Sequence, residues 1–399
     1  MKHDRKEHGR KRGLIVASVG VAALLACRAE PTRAVETAGP AGPSSAPAAK
    51  HSPDQAGPQA PAAARQAEAA TAETLHAAHS SALDWLARQQ AADGSWSGQH
   101  ATGINTAGLT GIALLALQSD GSTPSSGRHA QRVARGVHWL MLAQDPKTGL
   151  IGERSSFASH YEHAIATQAL CLALRGAPSD ELKAVAQAAV DYVGRARNPY
   201  GAWRYTYPPT GESDTSVTGW MVQALVAARE AGLTIDEQAL AGAVTWVGEV
   251  TDPTSGRVGY DTVGSTSSRV PGLNDQFPTD RTEAMTASGL LTRMEAGEKI
   301  ADVPMLARHA GLLRTKPPEW DESAHTIDEY YWYFGSRAMQ RVGGADAEAW
   351  KVALAATLLP SQAKDGEARG SWRGVGPWTH ANGSTLATAL NALSLATLK

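Results

Sequence analysis

Four segments of this chain repeat one another: ALDWLARQQAADGSW (Ala82–Trp96), GVHWLMLAQDPKTGLIG (Gly136–Gly152), AAVDYVGRARNPYGAWRY (Ala188–Tyr205) and GAVTWVGEVTDPTSGRVGY (Gly242–Tyr260). Each carries an aromatic residue in its middle, Trp85, Trp139, Tyr192 and Trp246, at a spacing of about 54 residues. Self-similarity at such a period marks a chain built from stacked supersecondary units, none of which can bury its apolar face alone. A Gly-containing turn closes each segment, as suits a residue that tolerates positive φ. A second, more apolar segment then follows: NTAGLTGIALLALQ, YEHAIATQALCLAL, DTSVTGWMVQALVAA and TEAMTASGLLTRM. MLARHAGLLRTKPPEW with DEYYWYFGSRAMQRVG makes a fifth pair, and WKVALAATLLPSQ…GSW with STLATALNALSLATL a sixth.

The first segment of each pair is charged on one face and apolar on the other, the pattern of a helix at the surface. The second is apolar nearly all round and dense in Ala, Gly, Ser and Thr, which suits a helix packed closely on every side. The expectation is an all-α fold, an α6/α6 toroid of six helical hairpins with parallel inner helices. Strand periodicity is absent. An open solenoid is the alternative, but it would need a capping repeat and none is spare.

Residues 1–26 read as an export signal. Lys2, Arg5, Lys6, Arg10, Lys11 and Arg12 form a basic head, followed by the apolar run GLIVASVGVAALLA and Cys27. That run is short for a bilayer span and suits a secretory signal. LLAC (Leu24–Cys27) resembles the lipobox of bacterial lipoproteins, which implies lipidation of Cys27 and anchoring of an exported protein to a membrane of the cell envelope. A plain signal peptide cut near Ala26 is the alternative. Residues 27–70 are Ala, Pro, Ser and Gly with scattered charge, too poor in large apolar side chains to order, and read as a disordered tether. Residues 71–399 remain for the folded domain, which is expected to be a monomer. Formal net charge is −2 and no basic stripe with interleaved aromatics is present, so nucleic-acid binding is excluded. After Cys27 only Cys171 is left, too few thiols for an internal disulfide or a Cys-rich zinc site.

QQAADGSW (Gln89–Trp96), YGAW (Tyr200–Trp203) and RGSW (Arg369–Trp372) resemble the Gln-Trp repeats of the terpenoid cyclase and protein prenyltransferase toroid superfamily. YEHAIATQAL, GAWRYTYPPTGESDTSVTGW and YYWYFGSRAMQRVGG are similar to the squalene-cyclase-like, prenyltransferase/squalene oxidase repeat proteins of bacteria. The resemblance covers residues 74–399. It implies the toroid, with Trp96, Trp203 and Trp372 as structural staples, and leaves the activity open.

Squalene-hopene-type cyclases protonate an alkene with a D-x-D-D-T-A motif at the start of an inner helix. An alkene is so weak a base that its acid needs a paired carboxyl and a hydrogen-bond network. Here Asp214 and Thr215 match the last Asp and the Thr of that motif. Ser213 stands where the protonating Asp would be and Gly211 where the first would be. Only three Phe are present to line a cation-stabilising wall. The resemblance therefore implies a toroid without that cyclisation. Asp214 by itself reads as a helix N-cap. SHYE (Ser159–Glu162), DRTE (Asp280–Glu283) and TIDE (Thr326–Glu329) have capping-box spacing.

Parallel inner helices would bring their N-termini to one mouth, with His160, Glu162, His163, Asp214, Asp280, Arg281, Glu283, Asp328 and Glu329. Asp214, Glu283 and Asp328 are the candidate catalytic residues, with Arg281 or Tyr330 assisting, by analogy with α/α-toroid lyases and hydrolases of polysaccharides. His160 and His163, three apart, are the only metal-ligand candidates; a divalent metal is geometrically allowed, and no cofactor is firmly implied. In DEYYWYFG, Tyr330, Tyr331, Trp332 and Tyr333 are candidates for the cavity lining, since such rings grip sugars, lipids and peptides. The PGLNDQFPTDR loop (Pro271–Arg281) is long enough to cover the mouth. The expected function is a lipid-anchored exported toroid that binds an apolar or polar small ligand, or an envelope protein. The alternatives are a polysaccharide lyase or hydrolase, and a divergent terpenoid cyclase or prenyl-group enzyme.

Overall fold

The computed structural model describes residues 62–98, 105–154, 158–199, 201–205, 207–269 and 272–398, with backbone alone for 62–71. These fall in one compact unit, Ala60–Lys399. The expected signal peptide, Cys27 and the stretch to residue 61 lie outside the described residues. Helix α1 has already begun at Ala62, inside the stretch expected as tether.

Twelve helices make six hairpins: α1 (Ala62–Gln89) with α2 (Thr106–Gln118), α3 (Ala130–Leu142) with α4 (Ser159–Gly176), α5 (Asp180–Arg195) with α6 (Thr215–Glu230), α7 (Glu237–Glu249) with α8 (Ala284–Glu295), α9 (Pro304–Thr315) with α10 (Glu329–Val342), and α11 (Gly344–Ser361) with α12 (Gly383–Ala396). Apart from two isolated bridge pairs, Gln144 with Ile151 and Thr251 with Val258, the described residues hold no β-structure. The even-numbered helices pack in the order α2, α4, α6, α8, α10, α12, and α12 returns to α2. The ring is closed: the chain is an α/α toroid and not an open solenoid. No helix among the described residues is long and apolar enough to cross a membrane.

The two helix types behave as their composition requires. In α3 only Val133, Gly136, Val137 and Leu140 are buried, one stripe at i, i+3, i+4 and i+7. In α2 every residue from Ala107 to Leu117 is buried. Inner helices approach closely because small residues meet. A Cβ on Gly111 would lie 2.9 Å from the Ala166 backbone nitrogen and 3.0 Å from Ile165 Cγ2. Gly111→Ala is therefore expected to destabilise by about 1–3 kcal/mol through overpacking, read as a lower denaturant midpoint. An unchanged midpoint would mean that α2 and α4 part at no cost.

The Gln-Trp turns are staples. The indole N–H groups of Trp96, Trp203 and Trp372 donate to Leu86 O (2.8 Å), Val193 O (2.8 Å) and Leu358 O (3.0 Å) of the preceding outer helix. Their backbone N–H groups donate to the hydroxyls of Thr110, Thr218 and Thr388 of the following inner helix. Gln90 Nε2 donates to Gly94 O and to Arg132 O of the next outer helix, both at 2.9 Å. Gly94 has φ 99°, and a Cβ there would sit 2.6 Å from Arg135 O, so only glycine fits the turn.

The capping boxes do not form. The N-cap of α4 is Ala158 and that of α8 is Glu283, neither with a side-chain cap bond. The Thr326 hydroxyl turns back to Glu319 O and Asp321 O, and α10 is capped by Asp328, which accepts from Tyr331 N at 3.1 Å. At α10 the Thr326 hydroxyl is spent inside its own loop, and before α8 Lys316 of the next hairpin holds the Asp280 carbonyl.

Candidate functional site

α10 carries four aromatics in a row, and successive side chains on a helix point about 100° apart. Tyr331 turns to the outer wall, its hydroxyl donating to Lys316 O at 2.7 Å and its ring edge-on to Trp350. Trp332 packs beside Trp320, ring centroids 5.9 Å apart. These two, expected among the cavity residues, do not face the axis. Tyr330 and Tyr333 do. Tyr333 stacks on Trp220 of α6 at 5.2 Å and 14°, and its hydroxyl donates to Gln223 of α6 at 2.7 Å. Gln168 of α4, on the opposite side of the ring, reaches the same hydroxyl. Phe334 lies edge-on to Trp220 at 5.1 Å, and Tyr330 packs 4.6 Å from Phe334. These four rings, none more than 7% exposed, fill the middle of the barrel. Above them a hydroxyl chain spans three helices, from Tyr161 of α4 to Ser216 of α6 (3.1 Å) and on to Tyr330 of α10 (3.2 Å).

Asp214 stands beside this chain. One carboxylate oxygen caps α6, accepting from Val217 N at 2.8 Å; the other, Oδ2, is buried without a hydrogen-bond partner. Burial raises its pKa to about 7, against the opposing pull of the cap bond and of Arg204. Tyr161, Tyr205 and Tyr260 are shifted up as well, first by burial and then by the Asp214 charge. The Arg204 guanidinium lies over the Tyr205 and Tyr260 rings at 5.6 and 5.8 Å and pairs with Glu212 and Asp261. Ser213, where a protonating Asp would stand, lies 3.3 Å from Asn198 Nδ2. A carboxyl that is half-protonated near neutrality, ringed by tyrosines, is chemically a proton donor or acceptor.

The other first-turn carboxylates are tied into the structure. Glu162 is fully buried and accepts from Asn105 N, at the start of α2 (3.1 Å). Glu283 takes a two-pronged hydrogen bond from Arg257 (3.1 and 2.5 Å) and faces a space of about 10 Å³, room for one water. Asp328 is roofed by Arg269 at 3.8 Å and bonded by the Thr282 hydroxyl; burial raises its pKa, and Arg269 opposes the rise. Glu329 accepts from Thr379, and burial raises its pKa to about 8. So of the three candidate catalytic acids, Glu283 and Asp328 are structural, and only Asp214 keeps an oxygen unengaged. Asp280 and Arg281 lie in the loop outside the ring, their side chains 70% and 50% exposed. From that loop Phe277 packs on His380, and Arg269, just before it, reaches Asp328 and lies over the Trp378 ring.

The histidines are not a metal site. His163 Nδ1 accepts from Ile151 N and Nε2 donates to Ala189 O, both at 3.0 Å, and burial lowers its pKa to about 3. His160 is held between Arg204 O and the Tyr192 hydroxyl, its pKa lowered by burial. All four ring nitrogens are committed, and no group of three His, Cys, Asp or Glu side chains able to hold a metal exists among the described residues. Sequence reasoning missed Tyr161, Arg204, Tyr205 and Tyr260; the signal was the run of aromatics just upstream of Asp214. It also missed Gln168 and Gln223, which share a Gln-Ala-Leu triplet on α4 and α6. An open groove of about 540 Å³, lined by Pro318, Trp320, Pro360 and Arg373, lies between α11 and the loop that precedes α10, on the outer wall and not in the barrel.

No family model matches the chain, and no curated protein matches it. Solved structures do. A type II terpene cyclase from Scytonema, MstE, aligns over 82% of this chain and 97% of its own at 15% identity, TM-score 0.55. An α-amylase from Clostridium perfringens aligns over 81% and 98% at 12% identity, TM-score 0.54. An inactive variant of the α-1,6-mannanase GH76A of Salegentibacter, in complex with α-1,6-mannotriose, aligns over 79% and 98% at 9% identity, TM-score 0.53. At these identities the likeness is one of fold. It shows that the chain shares the α/α-toroid fold with these proteins.

Proposed function

We propose that the protein is a ligand-binding toroid that works at the mouth of its barrel and does not cyclise a polyene inside it. One observation carries this reading: Trp220, Tyr330, Tyr333 and Phe334 occupy the axis, where a folded isoprenoid would have to lie. The missing acid at Ser213 supports it. Above the rings, Tyr161, Tyr205 and Tyr207 are partly exposed, flanked by Arg204 and by Arg154 over the Tyr207 ring. Aromatic faces with charged and hydroxyl groups between them suit a hydroxyl-rich ligand such as a sugar chain, the ligand class that the mannanase complex contains. On the same proposal the chain is exported and held at a membrane by lipidated Cys27.

The test is direct. Purified protein offered linear polyprenyl substrates should give no cyclised product. A panel of oligosaccharides should include one that binds saturably, with Tyr205→Ala weakening it about tenfold, the loss of one well-made contact. A cyclised product, or a panel without a binder, would overturn the reading. Palmitate labelling lost in Cys27→Ala checks the anchor.

A second reading is favoured by the geometry of Asp214, whose Oδ2 is buried without a hydrogen-bond partner beside the tyrosines; burial there raises its pKa to about 7, the range a general acid uses near neutral pH. Asp214 would then act on the ligand at the mouth, as in a lyase or hydrolase. Asp214→Asn, which still caps α6, would abolish turnover while leaving the fold intact; turnover surviving in that variant sinks the enzyme reading.

A further inference from the structure

The lower half of the barrel, beneath the aromatic layer, holds polar groups that the mouth does not explain. Glu295 of α8 has a fully buried side chain, and one of its oxygens, Oε1, accepts from two arginines of α10, Arg337 (2.7 Å) and Arg341 (3.0 Å). Its Oε2 is buried with no partner. Arg337 Nη1 donates to the Tyr333 hydroxyl at 3.0 Å and to Gln223 Oε1. A guanidinium only donates, so this contact fixes Oε1 as the acceptor of Gln223 and leaves its Nε2 a donor. That Nε2 is buried without an acceptor, in a side chain 1% exposed. Gln168 Oε1, in a side chain 6% exposed, is likewise an acceptor without a donor. Burying such groups unpaired is costly. The cluster also opens to solvent: the Arg337 and Arg341 side chains are 24% and 40% exposed.

We propose that this end of the barrel binds a small carboxylate that carries its own hydroxyl or amino donor. Arg337 and Arg341 share the one buried carboxylate of Glu295, and Glu230, which also acts on Arg337, is paired with Arg175, so positive charge is in surplus; the Gln223 amide supplies a further N–H, and the ligand's anionic group is met by Arg337, Arg341 and Gln223. Its donor satisfies Glu295 Oε2 and Gln168 Oε1, which a plain anion would leave unpaired. The site lies in the C-terminal halves of the inner helices, separate from the mouth, and does not depend on how the mouth is used.

The experiment is isothermal titration of the full-length protein with acetate, glycolate, glycine and glycerol at matched ionic strength. Glycolate or glycine should bind saturably and more tightly than acetate, and glycerol should not bind. Arg341→Ala, at a position exposed enough to spare the fold, should weaken that binding about tenfold or more. Gln223→Met, which keeps the volume and removes the amide, should do the same, whereas Asp214→Asn at the mouth should leave it unchanged. The proposal is overturned if none of the probes saturates, if acetate or glycerol binds as well as glycolate and glycine, or if binding survives Arg341→Ala.

Discussion

Trp203→Ala should lower the unfolding free energy by about 3–5 kcal/mol, the usual cost of emptying a buried aromatic site. Trp203 is fully buried, and it does more than fill space. Its indole N–H ties the turn to Val193 of α5, and its backbone N–H ties the turn to Thr218 of α6. Alanine removes the first tie and leaves Val193 O without that donor. Thr218→Ala removes the second and strands a buried N–H, at about 1–3 kcal/mol. Leu142→Ala is the control. Leu142 is 73% exposed, and its loss should stay within about 0.5 kcal/mol. Equilibrium denaturation of the three variants checks the ranking, and a Trp203→Ala midpoint no lower than that of Leu142→Ala would refute the staple.

Asp214→Asn should make the protein progressively more stable than wild type as pH rises from about 4 to above 7. The folded-state pKa of Asp214 is raised to about 7 by burial. Between the unfolded value and 7 the native state holds a proton that the unfolded chain has lost. Stability from this group is therefore complete below pH 4 and is lost as pH climbs through 7. Asparagine keeps the cap and the neutral form at every pH. The difference at alkaline pH should reach a few kcal/mol, since each pKa unit is about 1.4 kcal/mol. Glu329, with its pKa raised to about 8, acts in the same sense and extends the loss to slightly higher pH. His163 and His309, lowered by burial to about 3 and 4, act in the opposite sense, costing stability as pH falls below 6.5. Only the variant-minus-wild-type difference isolates Asp214, measured by melting at a series of pH values. A difference that does not change with pH would mean that Asp214 is ionised in the folded state throughout.

These two sites differ in how far the sequence revealed them. Trp96, Trp203 and Trp372 were legible as staples because each repeats in the same turn, and a repeat must solve the same packing problem each time. Asp214 was legible as a cap because Asp followed directly by an apolar helix is a local arrangement. The capping boxes at Ser159, Asp280 and Thr326 had equally good local spacing, yet failed: the helices start at other residues, Ala158 and Glu283 being the N-caps of α4 and α8, and Thr326 spends its hydroxyl within its own loop.

The roles of the remaining candidates were out of reach of local reasoning. His160 and His163 lie three apart on α4 and could share a metal as far as spacing goes; their rings instead hold the backbone of residues 12 to 44 positions away. Glu283 and Asp328 look like free acids until Arg257 and Arg269 arrive from a loop.

What the sequence by itself determined is the closed ring of six hairpins: periodic apolar patterning decides which face each helix buries, and six inner helices rich in apolar and small residues bury that surface against one another. The tertiary structure decided that the ring is filled. Whether Tyr330 and Tyr333 line a cavity or plug it depends on the rotation of α10 about its own axis and on what α4 and α6 send to meet them. Trp220, Gln168 and Gln223, more than a hundred residues away in the chain, supply that answer, because close packing across the axis is a property of all six helices together.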